Sequence, residues 1–170
     1  MKVALFGQTG QVATEVRRRS PDGISVVAIG RDRADFSSPE MVAATVSSLN
    51  ADVIINAVAY TAVDKAEADQ TTAHVVNAMA PEVLSRACAA IDALLVHYST
   101  DYVFDCSGQT PWIETVATGP LNVYGRSKLA GEQGIAKQGA RHVIFRTSWV
   151  YGTEGGNFAK TMLRLAQERE

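Results

Sequence analysis

The sequence is poor in cysteine: Cys88 and Cys106 are the two in 170 residues. They match no metal-ligand spacing, and one distant pair does not make a disulfide framework. A reducing, cytoplasmic setting therefore fits the composition best. His74 and His97 also lack a metal-ligand pattern, and we predict that both are structural. Charge of one sign is not in excess either, because 16 Lys and Arg against 18 Asp and Glu give a net charge of −2. This balance argues against nucleic-acid binding through a large basic face.

Long hydrophobic runs are missing as well. No apolar run approaches the ~20 residues that a bilayer-spanning helix needs. The N-terminus "MKVALFGQTGQV" lacks the apolar core and the small-residue cleavage site of a signal peptide. We therefore expect no membrane partner. The sequence also has no internal repeat, low-complexity tract or linker. With 46% hydrophobic residues, it has the composition of one soluble globular domain with a sizeable core.

Short apolar runs alternate with helical stretches along the chain. The predicted strands are 2–6, 24–29, 52–58, 93–99 and 142–148. The predicted helices are 11–19, 39–49, 81–91, 120–138 and 157–168. This repeated order of apolar strand and helix indicates an α/β fold, a doubly wound parallel sheet with helices on both faces. Residues 105–121 form a longer irregular segment, and such loops often line sites.

A glycine turn, "FGQTGQVA", follows the first predicted strand and opens the first helix. A dinucleotide pyrophosphate needs a tight turn, close approach of the backbone and a helix N-terminus. We therefore predict that Gly7 and Gly10 bind a cofactor. The spacing is G-x-x-G-x-x-A, and the small Ala13 stands where a third glycine would allow close helix packing. The alternative is an ordinary βα turn that uses glycine for its positive φ.

Gly30 and Arg31 follow the second predicted strand, at the place where a carboxylate would bind the 2′-hydroxyl of an adenosine ribose. Glycine leaves room for a 2′-phosphate, and arginine can pair with that phosphate. This predicts that NADPH binds at least as well as NADH, with a solvated loop arginine as the alternative. Asp35 and Phe36 follow soon after. The pattern leaves open whether they flank an adenine or are a capping carboxylate and a core ring.

A phenol and an ammonium stand four residues apart in "NVYGRSKLAGE". On a helix, Tyr124 and Lys128 share one face, with Cβ atoms about 5–6 Å apart. An ammonium ~5 Å from a phenolate stabilises it by roughly 3 kcal/mol, or about two pKa units, which brings the phenol towards the working range of an acid–base catalyst. The small neighbours would let a flat nicotinamide approach this face. An ordinary surface Tyr and Lys is the alternative, since Tyr-x-x-x-Lys is common.

Polar residues also follow two other predicted strands. Ser99, Thr100 and Asp101 lie at the carboxyl end of the fourth, where open α/β sheets place their sites. A hydroxyl there can hydrogen-bond a carbonyl that is being reduced, and a Ser/Thr turn or helix cap is the alternative. Thr61 and Asp64 follow the third strand, and a capping box for the next helix is a strong alternative for them.

Together, the Gly-x-x-Gly turn, the strand-end hydroxyl and Tyr-x-x-x-Lys in this order resemble the extended short-chain dehydrogenase/reductases. Six longer segments are similar to the dTDP-4-dehydrorhamnose reductase family: "FGQTGQV", "NAVAYTAVDKAE", "VHYSTDYVFD", "PLNVYGRSKLAGE", "IFRTSWVYG" and "NFAKTMLRLA". The resemblance spans the whole chain, and "AYTAVDKAE" and "STDYVF" are far more specific than the generic motifs. It implies a Rossmann-type fold, NADPH or NADH as cofactor, and reduction of the C4 ketone of dTDP-4-dehydro-L-rhamnose to dTDP-L-rhamnose.

The resemblance also implies roles for single residues. Tyr124 would donate the proton to the ketone oxygen, Lys128 would tune Tyr124 and hold the nicotinamide ribose, and Thr100 would hydrogen-bond the substrate oxygen. Asp101 and Trp149 would touch the sugar nucleotide. The implied cofactor contacts, taken from the pyrophosphate to the adenosine to the nicotinamide half, are Gly10, Gln11 and Val12, then Asp35 and Phe36, then Ala59, Tyr60, Thr61 and Tyr98.

Other implications of the resemblance leave more open. Asn77 resembles the helix asparagine of the wider superfamily. Some relatives bind Mg²⁺ at a dimer contact and Glu15 matches one of the acids there, which leaves Mg²⁺ and a homodimer open. Two rival functions also stay open. One is a nucleotide-sugar epimerase or dehydratase on the same scaffold. The other is a non-catalytic NADP-binding regulatory subunit, like the β subunit of methionine adenosyltransferase.

Family members run well beyond 170 residues, and this chain stops inside an apparent helix, "MLRLAQERE". We therefore expect residues 1–170 to be an NAD(P)-binding Rossmann domain with the start of the substrate-binding region, and the C-terminal substrate lobe to be largely absent. Such a fragment is expected to bind a dinucleotide and to reduce the sugar nucleotide very slowly or not at all.

Overall fold

The computed structural model describes residues 1–108 and 110–168. Its five strands are β1 (Lys2–Phe6), β2 (Ser25–Ile29), β3 (Val53–Asn56), β4 (Leu94–Thr100) and β5 (His142–Thr147). They form one sheet in the order β2-β1-β3-β4-β5, and every neighbouring pair is parallel. The predicted parallel sheet is confirmed. Strand β3 ends at Asn56 instead of residue 58, and the next two residues line a cavity.

Helices cover both faces of this sheet. They are α1 (Gln11–Arg18), α2 (Pro39–Ser47), α3 (Val63–Ala68), α4 (Gln70–His74), α5 (Ala80–Ala90), α6 (Val123–Lys137) and α7 (Phe158–Glu168). Helix α5 packs between α2 and α6. Because side chains alternate along a strand, Ala4 and Phe6 of β1 face the core under α2 and α5, whereas Val3 faces α1. The doubly wound arrangement is therefore confirmed.

Two short turns interrupt the regular elements. A π-helical turn, Val75–Met79, joins α4 to α5, and a 3₁₀ turn, Asp101–Val103, follows β4. The main core lies between the sheet and helices α2, α5 and α6. It is built from Ala4, Phe6, Ile29, Ala34, Phe36, Val42, Val46, Ile54, Ala80, Leu84, Cys88, Ala93, Leu95, Ile135 and Ala140.

The strand order places a site at the glycine turn. From β1 the chain passes outward to β2 and then returns to β3 on the opposite side of β1. Open α/β sheets bind ligands at the carboxyl ends of strands beside such a reversal. Gly7 and Ala57 follow β1 and β3 at this point, and a Cβ atom on Gly7 would lie 3.6 Å from the Ala57 carbonyl.

Two helix starts differ from the sequence predictions. Helix α6 begins at Val123, not at residue 120, because Asn122 caps it: Asn122 Oδ1 accepts a hydrogen bond from Gly125 N at 2.7 Å. The alternative offered for Thr61 and Asp64, a capping box, is wrong. Ala62 is the N-cap residue of α3, and no side chain caps it.

Cys88 is buried, Cys106 is exposed, and both are free thiols. Within residues 1–108 and 110–168, no helix combines the length and the apolar character needed to cross a membrane.

Candidate active site

Helix α6 presents Tyr124 in its first turn and Lys128 one turn later. Close packing explains its small residues. A Cβ atom on Gly125 would overlap the carbonyl oxygen of Tyr102, and one on Gly131 would overlap that of Asn77. These glycines therefore let the 3₁₀ turn and the π-helical turn approach the helix. The prediction that these small residues make room for a nicotinamide is wrong at Gly125 and Gly131, because protein backbone fills the space beside them.

Lys128 is buried, with 1% of its surface exposed. Its Nζ atom donates to the carbonyl of Tyr98 at 2.6 Å and lies 3.3 Å from His97 Nε2. Burial lowers the pKa of Lys128 from 10.5 to about 8, and the nearby carboxylate of Glu132 opposes that change. A buried lysine that titrates near neutral pH is unusual and marks a candidate functional site.

Tyr124 is partly buried, and its ring meets Tyr102 edge to face with the centroids 5.6 Å apart. Burial raises the pKa of the phenol. The neighbouring hydroxyl of Thr100 opposes that increase, and the charge of Asp101 adds to it. The phenol's pKa is thus raised in this arrangement, in which Tyr98 and His97 hold Lys128. The expected lowering of the phenol's pKa by Lys128 stays a prediction.

Thr100 and Asp101 form a hydrogen-bonded group at the end of β4. Thr100 Oγ1 donates to Asp101 Oδ1 at 3.0 Å and accepts a bond from Tyr102 N at 3.2 Å. The other carboxylate oxygen of Asp101 accepts a 2.6 Å bond from the hydroxyl of Ser148. Because a hydroxyl has one proton, Thr100 must turn away from Asp101 before it can donate to a substrate.

Three cavities open along this edge of the sheet and receive every predicted site residue. The glycine-turn cavity holds about 630 Å³. Of the predicted residues, it is lined by Gly7, Gly10, Arg31, Asp35, Phe36, Ala59 and Tyr60. Tyr60 lines this cavity together with Asp35 and Phe36, and its assignment to the nicotinamide half stays a prediction. Its hydroxyl is 3.4 Å from Asp69 Oδ2.

The lysine cavity, of about 360 Å³, adjoins the same turn. Its predicted lining residues are Gly10, Gln11, Val12, Ala59, Thr61, Tyr98, Tyr124 and Lys128. The aspartate cavity, of about 200 Å³, contains Thr100, Asp101, Tyr124 and Trp149. Tyr124 and Ser99 line both of these cavities, so the phenol stands where the two spaces meet.

The surroundings of Gly30 differ from the prediction. A Cβ atom there would lie 2.6 Å from both Gln8 Oε1 and Asp32 Oδ1, so side chains fill the room expected for a 2′-phosphate. Arg31 donates from Nε to Asp35 Oδ2 at 2.9 Å, although 81% of its side chain remains exposed. Neither Gln8 nor Asp32 was singled out in the sequence, although Asp32 is two residues from Gly30; only the folded turn brings Gln8 there.

Asp35 and Phe36 have the contacts of a capping carboxylate and a core ring. Asp35 accepts bonds from the backbone and hydroxyl of Ser37, which lower the pKa of its carboxyl group, with a smaller contribution from Arg31. It thus stabilises the turn before α2. Phe36 is a core ring that meets Phe6 edge to face at 5.9 Å. Both residues nevertheless line the glycine-turn cavity.

Asn77 is buried and pins the loop after β3 to helix α6. Its amide accepts from Tyr60 N at 2.8 Å and donates to the Tyr60 carbonyl and to Ser127 Oγ, both at 3.0 Å. These contacts hold one wall of the lysine cavity. Sequence reasoning noted Asn77 but missed Ser148 and Lys65. Lys65 adds a second cation to the glycine-turn cavity.

Glu15, the acid matched to Mg²⁺-binding relatives, is paired with Arg18 at 2.7 Å and Arg19 at 2.8 Å. These arginines lower the pKa of its carboxyl group. Across residues 1–108 and 110–168, no group of three or more His, Cys, Asp or Glu side chains is arranged to hold a metal ion. Mg²⁺ binding stays a prediction.

Comparisons with known proteins agree with this geometry. The family described as the RmlD substrate binding domain matches residues 1–170. Proteins named dTDP-4-dehydrorhamnose reductase from Shigella flexneri and Escherichia coli (strain K12) are 52% and 51% identical to the whole chain, which covers 58% of each. The chain thus spans less than two thirds of the length of these curated relatives.

Solved structures show the same fold. The dTDP-4-dehydrorhamnose reductase of Bacillus anthracis, in complex with NADP, is 35% identical, with a TM-score of 0.94 over 99% of this chain and 60% of that one. A Clostridium acetobutylicum reductase of the same name is 33% identical, also with a TM-score of 0.94, over 99% of this chain and 60% of its own. These dTDP-4-dehydrorhamnose reductases are relatives of the chain. The chain therefore belongs to the RmlD substrate binding domain family.

Proposed function

We propose that this protein reduces the C4 ketone of dTDP-4-dehydro-L-rhamnose with NADPH or NADH and forms dTDP-L-rhamnose. The observation that carries the proposal is the position of Tyr124. It lines the lysine cavity together with Gly10 and Lys128, and it lines the aspartate cavity together with Thr100. A proton donor there lies between the space for a dinucleotide and the space for a sugar. The names of the relatives supply the substrate.

The residues around the glycine turn fit a dinucleotide. Gly7 has a φ of +112°, which glycine adopts readily and other residues do not. A Cβ atom on Gly10 would meet no atom within 4 Å, so the N-terminus of α1 is open to the cavity. In this proposal, Gly10, Gln11 and Val12 hold the pyrophosphate and Lys128 holds the nicotinamide ribose. When bound, the cofactor supplies the hydride that reduces the ketone carbon.

Tyr124 is the acid of the proposed reaction. The phenol carries a proton at neutral pH and can give it to the ketone oxygen, and the charge of Lys128 is expected to offset the rise in its pKa that burial causes. Thr100 donates a second hydrogen bond to that oxygen after its hydroxyl turns from Asp101. Asp101 and Trp149 hold the sugar nucleotide. Residues 1–170 act in this scheme as the NAD(P)-binding domain with the start of the substrate-binding region.

The test is to mix the full-length protein with NADPH and dTDP-4-dehydro-L-rhamnose and to follow both cofactor and sugar. We expect one NADPH oxidised for each dTDP-L-rhamnose formed, and no oxidation with dTDP-L-rhamnose, which has no ketone. A protein that keeps NAD⁺ bound and converts sugars without net cofactor consumption would instead be an epimerase or dehydratase. A protein that binds NADPH and turns over no sugar nucleotide would be a regulatory subunit.

A further inference from the structure

The segment "AYTAVDKAE" ends in an acid to which the proposed reduction gives no role. The implied cofactor contacts account for residues 59–61 of this segment, whereas Glu67 lies at its end, on helix α3. Glu67 Oε1 accepts a hydrogen bond from Val123 N at 2.8 Å. The two residues are 56 positions apart in the sequence. The bond therefore joins α3 to the residue directly before Tyr124 on helix α6.

Side chains hold the first turn of α6 on both sides of Tyr124. The first N–H groups of a helix have no partner within the helix. Val123 N donates to Glu67, and Gly125 N donates to Asn122 Oδ1 at 2.7 Å. A carboxylate suits this place, because the N-terminus of a helix carries a partial positive charge. The bond to Asn122 is local, whereas the bond to Glu67 fixes the turn relative to another helix.

Packing joins the same two helices beside this bond. Ala66 of α3 and Val123 of α6 are buried in a small cluster with Ala73 of α4. The rings of Tyr60 and Tyr124 are partly buried and pack against this cluster. The small alanine side chains let the helices lie close together, and a closely packed contact transmits a shift from one element to the next. The position of α3 therefore sets the position of the first turn of α6.

We propose that Glu67 is a positioning residue for Tyr124: its carboxylate holds the first turn of α6 so that the phenol lies where the lysine cavity and the aspartate cavity meet. The catalytic consequence rests on the proposed function, in which Tyr124 donates the proton. A displacement of about 1 Å can cost a reaction up to about 100-fold in rate. Within the described part of the chain, Glu67 lines none of the three cavities, so it acts through Tyr124 and not by contact with substrate or cofactor.

An electrostatic role for Glu67 is the alternative, because a carboxylate near the phenol could also act through its charge. Glu67 is exposed, and solvent and salt screen an exposed charge. Burial and, among the acids, Asp101 raise the pKa of Tyr124. The two roles differ in what they require of the side chain. Positioning requires an acceptor that reaches the start of α6, whereas electrostatics requires a negative charge.

Substitutions of Glu67 separate these two roles. Glu67→Gln keeps an oxygen at the same reach and removes the charge, whereas Glu67→Asp keeps the charge and shortens the side chain. Glu67→Ala removes both the acceptor and the charge. Asp64→Ala, which removes another exposed acid of α3, is the matched control. Circular dichroism verifies that each full-length variant is folded, and Glu67→Asp carries the comparison if Glu67→Ala does not fold.

The first measurement follows the ring of Tyr124 by NMR of the full-length protein with ¹³C-labelled tyrosine, without substrate or cofactor. Its signal is the one that Tyr124→Phe lacks. Because this ring meets that of Tyr102 edge to face with the centroids 5.6 Å apart, its chemical shift changes when the ring moves. We expect Glu67→Ala and Glu67→Asp to shift the signal, and Glu67→Gln and Asp64→Ala to leave it in place. An unmoved signal in Glu67→Ala and Glu67→Asp would overturn the proposal.

The second measurement is the kinetics of ketone reduction by the same full-length variants. We expect kcat to fall about tenfold in Glu67→Ala and Glu67→Asp. The KM for the sugar nucleotide and the affinity for NADPH should stay within about twofold of the wild type, because Glu67 contacts neither ligand. Glu67→Gln should retain most of the activity. Activity that Glu67→Asp keeps and Glu67→Gln loses would show that the charge acts, and would overturn the proposal.

The two measurements together separate this inference from the proposed function. A wild-type protein that reduces no ketone sinks the proposed function, and the Tyr124 signal then still decides the role of Glu67. A normal reductase whose kcat and Tyr124 signal are unchanged in Glu67→Ala and Glu67→Asp does the reverse. A fall in kcat with an unmoved Tyr124 signal also contradicts positioning by Glu67.

Discussion

At the scale of single residues, Asp101 determines where the hydroxyl protons of Thr100 and Ser148 point. It accepts the one proton of Thr100 and, through its other oxygen, the proton of Ser148. Both hydroxyls therefore donate within the protein, and a substrate must replace the carboxylate as their acceptor before they can donate to it. This makes the Thr100 hydroxyl a sensitive probe of the proposed chemistry.

Replacing Thr100 by valine should therefore lower kcat. Valine keeps the branched shape of threonine at the buried end of β4 but lacks the hydroxyl, so the developing oxyanion loses one donor. We expect a loss of roughly 100-fold, with NADPH affinity unchanged. Steady-state kinetics of Thr100→Val and Thr100→Ser provide the measurement. The serine variant keeps the hydroxyl and should retain most activity; equal losses in both variants would show that the hydroxyl is not used.

Arg31 tests the preference for the 2′-phosphate. Its guanidinium pairs with Asp35 through Nε, and the side chain remains largely exposed beside the glycine-turn cavity. An exposed pair with a phosphate contributes about 1 kcal/mol, so Arg31→Ala should weaken NADPH binding roughly fivefold and leave NADH binding unchanged. Arg33→Ala removes an exposed arginine of the same loop that does not line the cavity, and should change neither. Fluorescence titration decides, and equal weakening for both cofactors would rule out a phosphate contact.

The sequence indicated candidate site residues better than their partners. Tyr124, Lys128, Thr100 and the glycine turn each occupy a fixed place in a local motif, and the structure brings them to cavities along one edge of the sheet. The contact between His97 and Lys128 joins residues 31 apart in the chain, and local patterns carry no information about it. The approach of Gln8 to Gly30 was missed for the same reason.

At the scale of the elements, two glycines of helix α6 have different neighbours. Gly131 faces the carbonyl of Asn77 in the π-helical turn, whereas Gly134 faces the side chain of Glu82, with a Cβ-to-Cβ distance of 2.9 Å for an added Cβ atom. Backbone in a packed turn cannot give way cheaply and rotation cannot move a Cβ atom, but the overlap at Gly134 is the milder of the two. The two positions thus separate close packing from helix propensity.

Gly131→Ala should destabilise the protein although alanine favours helices. The propensity gain is about 1 kcal/mol and overpacking costs about 1–3 kcal/mol, so we expect a net loss of up to about 2 kcal/mol in the free energy of unfolding. Gly134→Ala shares the propensity gain and meets a milder overlap, so it should be more stable than Gly131→Ala. Urea unfolding monitored by circular dichroism provides both values. A stable Gly131→Ala variant would mean that the π-helical turn is not held against α6.

The elements themselves were predicted from apolar patterns, and the errors follow from that basis. Strand β1 has the predicted bounds, and β2, β4 and β5 lie within a residue of theirs. The segment 63–79 was not predicted as helix, although it contains α3, α4 and the π-helical turn. Its alanines, threonines and acids show no clear apolar period, and packing against α6 stabilises it instead. Helix α6 was predicted to start too early because the cap at Asn122 went unrecognised.

For the whole molecule, burying Lys128 has a cost that depends on pH. Its pKa falls from 10.5 to about 8 on folding, so between these values the unfolded chain binds more protons than the folded one. The free energy of unfolding therefore rises with pH across this window, and the full cost is present below pH 8. A shift of this size corresponds to about 3 kcal/mol.

Lys128→Met should remove this pH dependence. We expect the variant to be more stable than the wild type at pH 7, with the difference shrinking by about 3 kcal/mol or less as the pH rises to 10. Burial raises the pKa values of Tyr98 and Tyr124 in both proteins, so their effect cancels in the comparison. Lys137→Met, at an exposed lysine of the same helix, is the control and should follow the wild type. Parallel curves for wild type and Lys128→Met would contradict the buried, shifted lysine.

The central claim is that Tyr124 donates the proton at a site where a dinucleotide and a sugar nucleotide meet. It is tested most directly by measuring NADPH binding and NADPH oxidation with dTDP-4-dehydro-L-rhamnose for full-length wild type and Tyr124→Phe. The account predicts that the variant binds NADPH with nearly unchanged affinity and that its kcat falls far more than tenfold, which corresponds to more than about 1.4 kcal/mol. A Tyr124→Phe protein that keeps more than about a tenth of the wild-type kcat, with normal binding, would contradict it.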